Sequence, residues 1–391
     1  MKIRYWASLA IAALCLTGCS GFWNALPSTG GGTGTTTLSS GDFYVLNVAT
    51  SQMVGLYVNA GTLTAIGNPY TLSAAPIAIT VAPNNAFLYV STLGGIFVYT
   101  INVSTGQLTL GNNGQAITPD AATAMQVDPS NSWLIEGGTG TQVINAIKIN
   151  SSTGVLAVSG EAQITAALPK TTVNQVAISP DGTFLLVANG SGGTVTIPFN
   201  AANNSPFGSV GVINPVSATG ASLSVAFDPI VTGSSAPRLF YIGETVATSG
   251  SNTGGLRAFN FSTVKEISGS PYAIGGLAPS SILPFSTGDF VYVVSRQTSS
   301  GATGVIAGFS VTSASSAFTL TALGSTFTTG SNPQGLVEDS THAFVFAVDF
   351  TGSPDLIGYT IDSTKPGYLD PVISNSTGTD PVQAGAIGAL H

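Results

Sequence analysis

PIAITVAPNNAFLYVST (76–92) holds two strands and the turn between them. An apolar run ends in Pro-Asn-Asn, and an aromatic then leads a second apolar run. The same order returns in ATAMQVDPSNSWLIEGG (122–138), VNQVAISPDGTFLLVAN (173–189) and PQGLVEDSTHAFVFAVD (333–349). Aligned on the leading aromatic, the heads fall at Phe87, Trp133, Phe184, Phe240, Phe290 and Phe344, a period of about fifty residues. A single unit of this kind leaves both faces of its sheet uncovered. In a ring, every unit lies between two neighbours.

Each head continues into a second pair of strands, as in IFVYTINVSTGQLTLGN (96–112), NAIKINSSTGVLAVSG (145–160) and LIGYTIDSTKPGYLDPV (356–372). The Ser, Thr and Gly between the strands supply hairpin chemistry. The unit therefore reads as four antiparallel strands, A to D, forming one blade. The seventh unit is split. PVQAGAIGA (381–389) is a strand A with nothing after it, and 42–67 supplies strands B, C and D with nothing before them. Joining the ends completes the blade and removes two exposed sheet edges. The expectation is an all-β, seven-bladed propeller: blade 1 from 42–75 plus 381–391, and blades 2 to 7 from 76–121, 122–172, 173–221, 222–278, 279–332 and 333–380.

The start of the chain has the order of an export signal. Lys2 and Arg4 precede the apolar run 6–16, which is too short to span a bilayer as a mature helix. Leu16-Thr17-Gly18-Cys19 resembles the bacterial lipobox, which implies cleavage after 18 and a lipid on Cys19. Ser20, in place of the inner-membrane retention Asp, points to the outer membrane or cell surface, with a periplasm-facing propeller as the other orientation. Residues 19–41 then form a lipidated Gly/Thr/Ser tether. The chain has two Cys, Cys15 and Cys19, so residues 42–391 have no thiol for a disulfide or a metal. No metal and no cofactor is expected.

Only 7% of residues are charged. Removing 1–18 takes two cations and no acid, leaving seven Lys and Arg against 17 Asp and Glu. Seven scattered cations cannot track a phosphate backbone, so nucleic acid is excluded as a partner. The expected partners are the membrane, through Cys19, and a glycan, a lactone or an envelope protein.

YVST (89–92) resembles the YVTN-type repeat, and the run from Val98 to Leu108 resembles the continuation found in lactonase-type seven-bladed propellers. That family includes the 6-phosphogluconolactonases, and the resemblance extends over 42–391. It implies the fold and, in enzymatic members, His, Arg and acidic residues gathered at one mouth. This chain has only His342, in an A–B turn, and His391, so no catalytic His maps onto it.

In propellers the D–A and B–C loops share the face where ligands usually bind. The ends of strand B in three consecutive blades place Glu244, Arg296 and Asp349 there, four, six and five residues after their heads. Glu244 or Asp349 would act as general base or acceptor, and Arg296 would hold a carboxylate or lactone carbonyl. The B–C loops are 245–255, 296–304 and 349–355. Asn174, Gln175, Ser280, Ser281, Gln334 and Gln383, at the starts of strand A, could hydrogen-bond a neutral ligand on the same face. Arg257, inside strand C, reads as packed between blades with its head snorkelling outward. The first expectation for function is a lipid-anchored binding or interaction module; the second is a lactone hydrolase.

Overall fold

Alternation decides what each strand does. In the computed structural model, strand B of blade 2, Phe87–Thr92, is buried at every position. Phe87 and Tyr89 pack toward blade 3, while Leu88 and Val90 pack toward blade 1. Both faces of a blade are therefore apolar, which is why these strands read as near-continuous hydrophobic runs. The same division runs round the molecule. Seven hydrophobic clusters among the described residues each join two consecutive blades, one cluster at every junction.

The structure describes residues 41–391 apart from 119, 139, 141, 158–162, 171, 233–235, 247–253, 297–303, 315–316, 352–354, 376–380 and 382. The expected signal peptide, Cys19 and residues 20–40 of the tether lie outside the described residues.

Seven antiparallel sheets correspond to the seven blades. Blade 2 runs in order through Pro76–Val81, Phe87–Thr92, Gly95–Ile101 and Leu108–Leu110. The A strands touch one another in succession round the whole ring and so form its inner wall. The split blade closes as expected. Ala384–Ala389 pairs antiparallel with Phe43–Asn47, with Phe43 opposite Ala389 and Val45 opposite Ile387.

Two local devices recur. A left-handed residue sits two positions before the head aromatic: Asn85, Asn131, Gly182, Gly288 and His342, with φ between 55° and 70°. Asn and Gly tolerate that conformation best. The end of strand A caps the same turn. Asp128 Oδ1 accepts from the amides of Ser132 and Trp133, and Asp339 Oδ1 accepts from those of Ala343 and Phe344. In blade 4, Ser179 Oγ accepts from the Thr183 and Phe184 amides instead.

The outer edge departs from the expected single strand D. In blades 1, 3 and 6 it is broken into two segments, as with Thr62–Ala65 and Tyr70–Thr71 along Gln52–Asn59. The A–B connection of blade 5 also contains a small extra pairing, Val231–Thr232 with Ala236–Pro237.

Candidate functional site

The mouth is the rim where strand B ends and the connector from the preceding blade arrives. A buried polar side chain stands near the end of strand B in blade after blade: Asn47, Thr92, Glu136, Asn189, Glu244 and Asp349, all under 6% exposed. Several have the same job. Asn189 donates to the Lys170 and Thr172 carbonyls and accepts from the Lys170 amide. Glu244 Oε2 accepts from the Val216 amide. Asp349 Oδ2 accepts from the Thr329 hydroxyl at 2.8 Å. Each holds the connector that leads into its own blade, whose backbone would otherwise be short of partners.

The three charged residues expected at the mouth occupy adjacent blades but do not meet. Glu244 is 1% exposed and its Oε1 lies 2.6 Å from Arg257 Nη1. Arg257 also binds Glu266, through Nη2 at 2.7 Å and Nε at 3.0 Å, and donates to the Asn214 carbonyl. Burial pulls the Arg257 pKa down, but the hydrogen bonds and charges of Glu266 and Glu244 outweigh it and hold the guanidinium above its ordinary value. Arg257 is 6% exposed over the Phe259 ring, so its head does not snorkel as the sequence reading expected. The cause is diagonal reach: Ile242 faces Arg257 across strands B and C, and Glu244 lies two residues on.

Arg296 ends strand B of blade 6 and is half-buried. It makes no ion pair among the described residues, and its Nε is buried with no hydrogen-bond partner there. Burial pushes its pKa down. Its cross-strand neighbours are small: Ala278 faces it on strand A, and Ser295 faces Val305, so Gly304 falls opposite it on strand C.

Asp349 is fully buried, and its Oδ1 has no hydrogen-bond partner among the described residues. Burial pushes its pKa up to about 7, against the Thr329 and Gly330 hydrogen bonds and with help from the charge of Asp355. Asp355, 7% exposed, is pushed up to about 6 by burial. The remainder of the three long B–C loops, 247–253, 297–303 and 352–354, lies outside the described residues.

Four of the six polar residues at the starts of strand A bind the neighbouring blade. Asn174 Nδ2 donates to the Ser222 carbonyl at 2.9 Å, and Ser280 Oγ to the Pro333 carbonyl at 2.7 Å. Gln175 Oε1 accepts from the Val225 amide, and Ser281 Oγ from the Leu336 amide. Thr123 and Ser224 make equivalent bonds to Val173 and Pro279. Gln334 turns back to Asn332, and Gln383, at φ 58°, accepts from the Val48 amide through its carbonyl.

Glu136 was not singled out by the sequence reading. It is buried at the mouth end of blade 3, 2.5 Å from Asn145 Nδ2, and burial raises its pKa. Its position three residues after Trp133 was the available signal.

Both histidines lie on the opposite rim. His342 Nδ1 is 2.7 Å from Glu338, and His391 packs against Asn85 and Val81. That rim also has a recess of about 360 Å³ between blades 1 and 2, lined by Asp42, Tyr57, Ser104 and Gln107. Among the described residues no group of three or more His, Cys, Asp and Glu gathers to hold a metal, and no helix is long and apolar enough to cross a membrane.

Residues 43–170 match the family described as Lactonase, 7-bladed beta-propeller. No curated protein matches the chain. Among solved structures, a putative 6-phosphogluconolactonase from Bacteroides fragilis is 14% identical, with a TM-score of 0.68 over 90% of this chain and 99% of that one. A periplasmic gluconolactonase from Pseudomonas aeruginosa is also 14% identical, with a TM-score of 0.64 over 90% and 98%. A Lactobacillus plantarum protein reaches 16% identity and 0.61, over 90% and 99%. At these identities the likeness establishes the fold, and the fold is that of the lactonase-type propellers.

Proposed function

We propose that the chain is a cell-envelope binding propeller, held by a lipid on Cys19, whose mouth at blades 6 and 7 takes a ligand bearing a carboxylate or a polarised carbonyl. An acidic saccharide and an acidic segment of an envelope protein both present that group.

The observation that supports this reading is the state of Arg296. The chain beyond residue 18 has three arginines, and the other two are committed, Arg257 to two glutamates and Arg238 to Asp228. Arg296 alone of them has no acid beside it among the described residues, although its Nε is buried. A planar guanidinium held half out of water and without a counter-ion favours an oxyanion presented in its plane. Glu244 has no comparable freedom, because both of its oxygens are engaged.

The hydrolase reading also has a specific observation in its favour. Asp349, one blade on, has its pKa pushed up to about 7, the range in which a carboxylate serves as general base near neutrality. The family match ends at 170, within blade 3, and so does not reach Arg296 or Asp349.

One experiment separates the two. Uronic and aldonic acids are titrated by calorimetry, and a panel of lactones is followed by base consumption in a pH-stat, each with Arg296→Ala alongside. Saturable acid binding that weakens about tenfold or more in the variant, with no lactone turnover, supports the binding module. Turnover that the variant abolishes transfers the site to a hydrolase. Neither binding nor turnover removes Arg296 from both accounts. The anchor is tested by mass spectrometry of the exported protein, which should find Cys19 as the first residue and diacylated.

A further inference from the structure

Three segments meet at the root of the blade 7 B–C loop. The hairpin contributes Asp349 and Asp355, whose backbones pair directly, the Asp349 amide donating to the Asp355 carbonyl at 2.8 Å. Val348 faces Leu356 one step earlier in the register, so the two aspartates stand opposite one another on the same side of the sheet. Directly opposed residues of antiparallel strands hold their Cβ atoms about 4.5–5.5 Å apart. The connector from blade 6 reaches Asp349 through the Thr329 hydroxyl and the Gly330 backbone. The ring-closing segment reaches Asp355 through the Gln383 backbone amide.

Two buried carboxylates on directly opposed residues cannot both be charged at low cost. Compensation is poor here. No lysine, arginine or histidine among the described residues pairs with either one. The groups facing them are the Thr329 hydroxyl, the Gly330 and Gln383 backbones, and Tyr359, whose hydroxyl is engaged by the Thr328 carbonyl. Asp349 Oδ1 has no donor of its own among the described residues, so its anionic form is the one the site supports least.

We infer that Asp349 and Asp355 share a single proton, and that this proton makes the junction of connector, hairpin and closing segment tight in acid and looser toward alkaline pH. Burial raises both acids above the unfolded carboxylate range. The folded state therefore binds the proton more strongly than the unfolded chain does. The stabilisation is complete below about pH 4 and is lost as pH rises through 6 and 7. The inference is independent of whether Arg296 binds a ligand.

The test is the melting temperature of the wild type, Asp349→Asn, Asp355→Asn and the double variant, each at pH 5 and pH 8. Other buried acids contribute a slope common to all four, so only the differences between proteins are read. The expected wild-type fall is larger than that of either single variant by roughly 2 °C or more. The double variant should lose no more of the fall than each single does, because one shared proton can be removed only once. Falls that add across the singles mean two independent buried acids and overturn the inference. So does a fall equal in all four proteins. Recovery of the wild-type melting temperature at pH 8 by calcium would mean that the pair holds a cation, and that also overturns it. If Asp349→Asn does not fold, Asp355→Asn against wild type decides: an unchanged fall rejects the shared proton.

Discussion

Arg257 is a charge in the middle of a strand, in a chain where charges are scarce. It is 6% exposed and tied to Glu244 and Glu266. Such a group is held by its partners; truncating it leaves Glu244 buried without compensation. Arg257→Ala should therefore cost about 3–5 kcal/mol in urea unfolding. Adding Glu244→Gln should recover part of that loss, and a double variant as unstable as the sum of the singles would refute the pairing. His342 gives the opposite expectation. It holds the left-handed turn position that Asn85 and Asn131 hold elsewhere, and it is 58% exposed. His342→Asn should shift stability by less than about 0.5 kcal/mol and leave ligand affinity at the mouth unchanged. A lost affinity would mean that the two rims are coupled.

At the scale of the element, one device joins blades near their outer edges. A buried tyrosine of strand B donates to the carbonyl of the glycine at the next blade's C–D turn: Tyr44 to Gly106, Tyr89 to Gly154 and Tyr292 to Gly367, at 2.6–2.9 Å. Tyr89→Phe keeps the ring and strands the Gly154 carbonyl. It should cost about 1–2 kcal/mol by denaturant midpoint at unchanged m-value. No change would mean that water replaces the hydroxyl. These strands were legible in the sequence because both faces of each blade are buried and the apolar register is continuous. The broken outer edges were not. Segments such as Thr62–Ala65 bury only Leu63, which leaves too short an apolar alternation to mark a strand. At the mouth, alignment on the heads found the positions of Glu244, Arg296 and Asp349, since distance from the head fixes height along the strand. It could not find their partners. Whether Glu244 meets Arg296 or Arg257 depends on diagonal register across the hairpin. Whether Ser280 faces a ligand or the Pro333 carbonyl depends on the one-residue bulge between Pro279 and Ser281.

For the whole molecule, the ring has one covalent discontinuity, and it lies inside blade 1. Ala384–Ala389 covers Phe43–Asn47 along its length, and Leu390 and His391 extend the contact to Asp42 and Asn85. The strand also faces both neighbours: Ile387 packs into the cluster shared with blade 7, and Ala386 into the one shared with blade 2. Removing 381–391 should therefore do more than delete one strand. It bares the row of backbone donors and acceptors on Phe43–Asn47, a fully buried run, as an open edge. It also opens two of the seven inter-blade clusters at once. In a closed ring each blade is supported from both sides, so unfolding should be a single transition; an opened array unravels from its free ends. The truncated protein is expected to show a broadened thermal transition and to elute as dimers or larger species, because another chain can supply the missing strand. A synthetic peptide of residues 381–391 should restore the monomer and sharpen the transition. A truncated protein that stays monomeric with a single sharp transition would mean that the inter-blade clusters alone hold the ring closed.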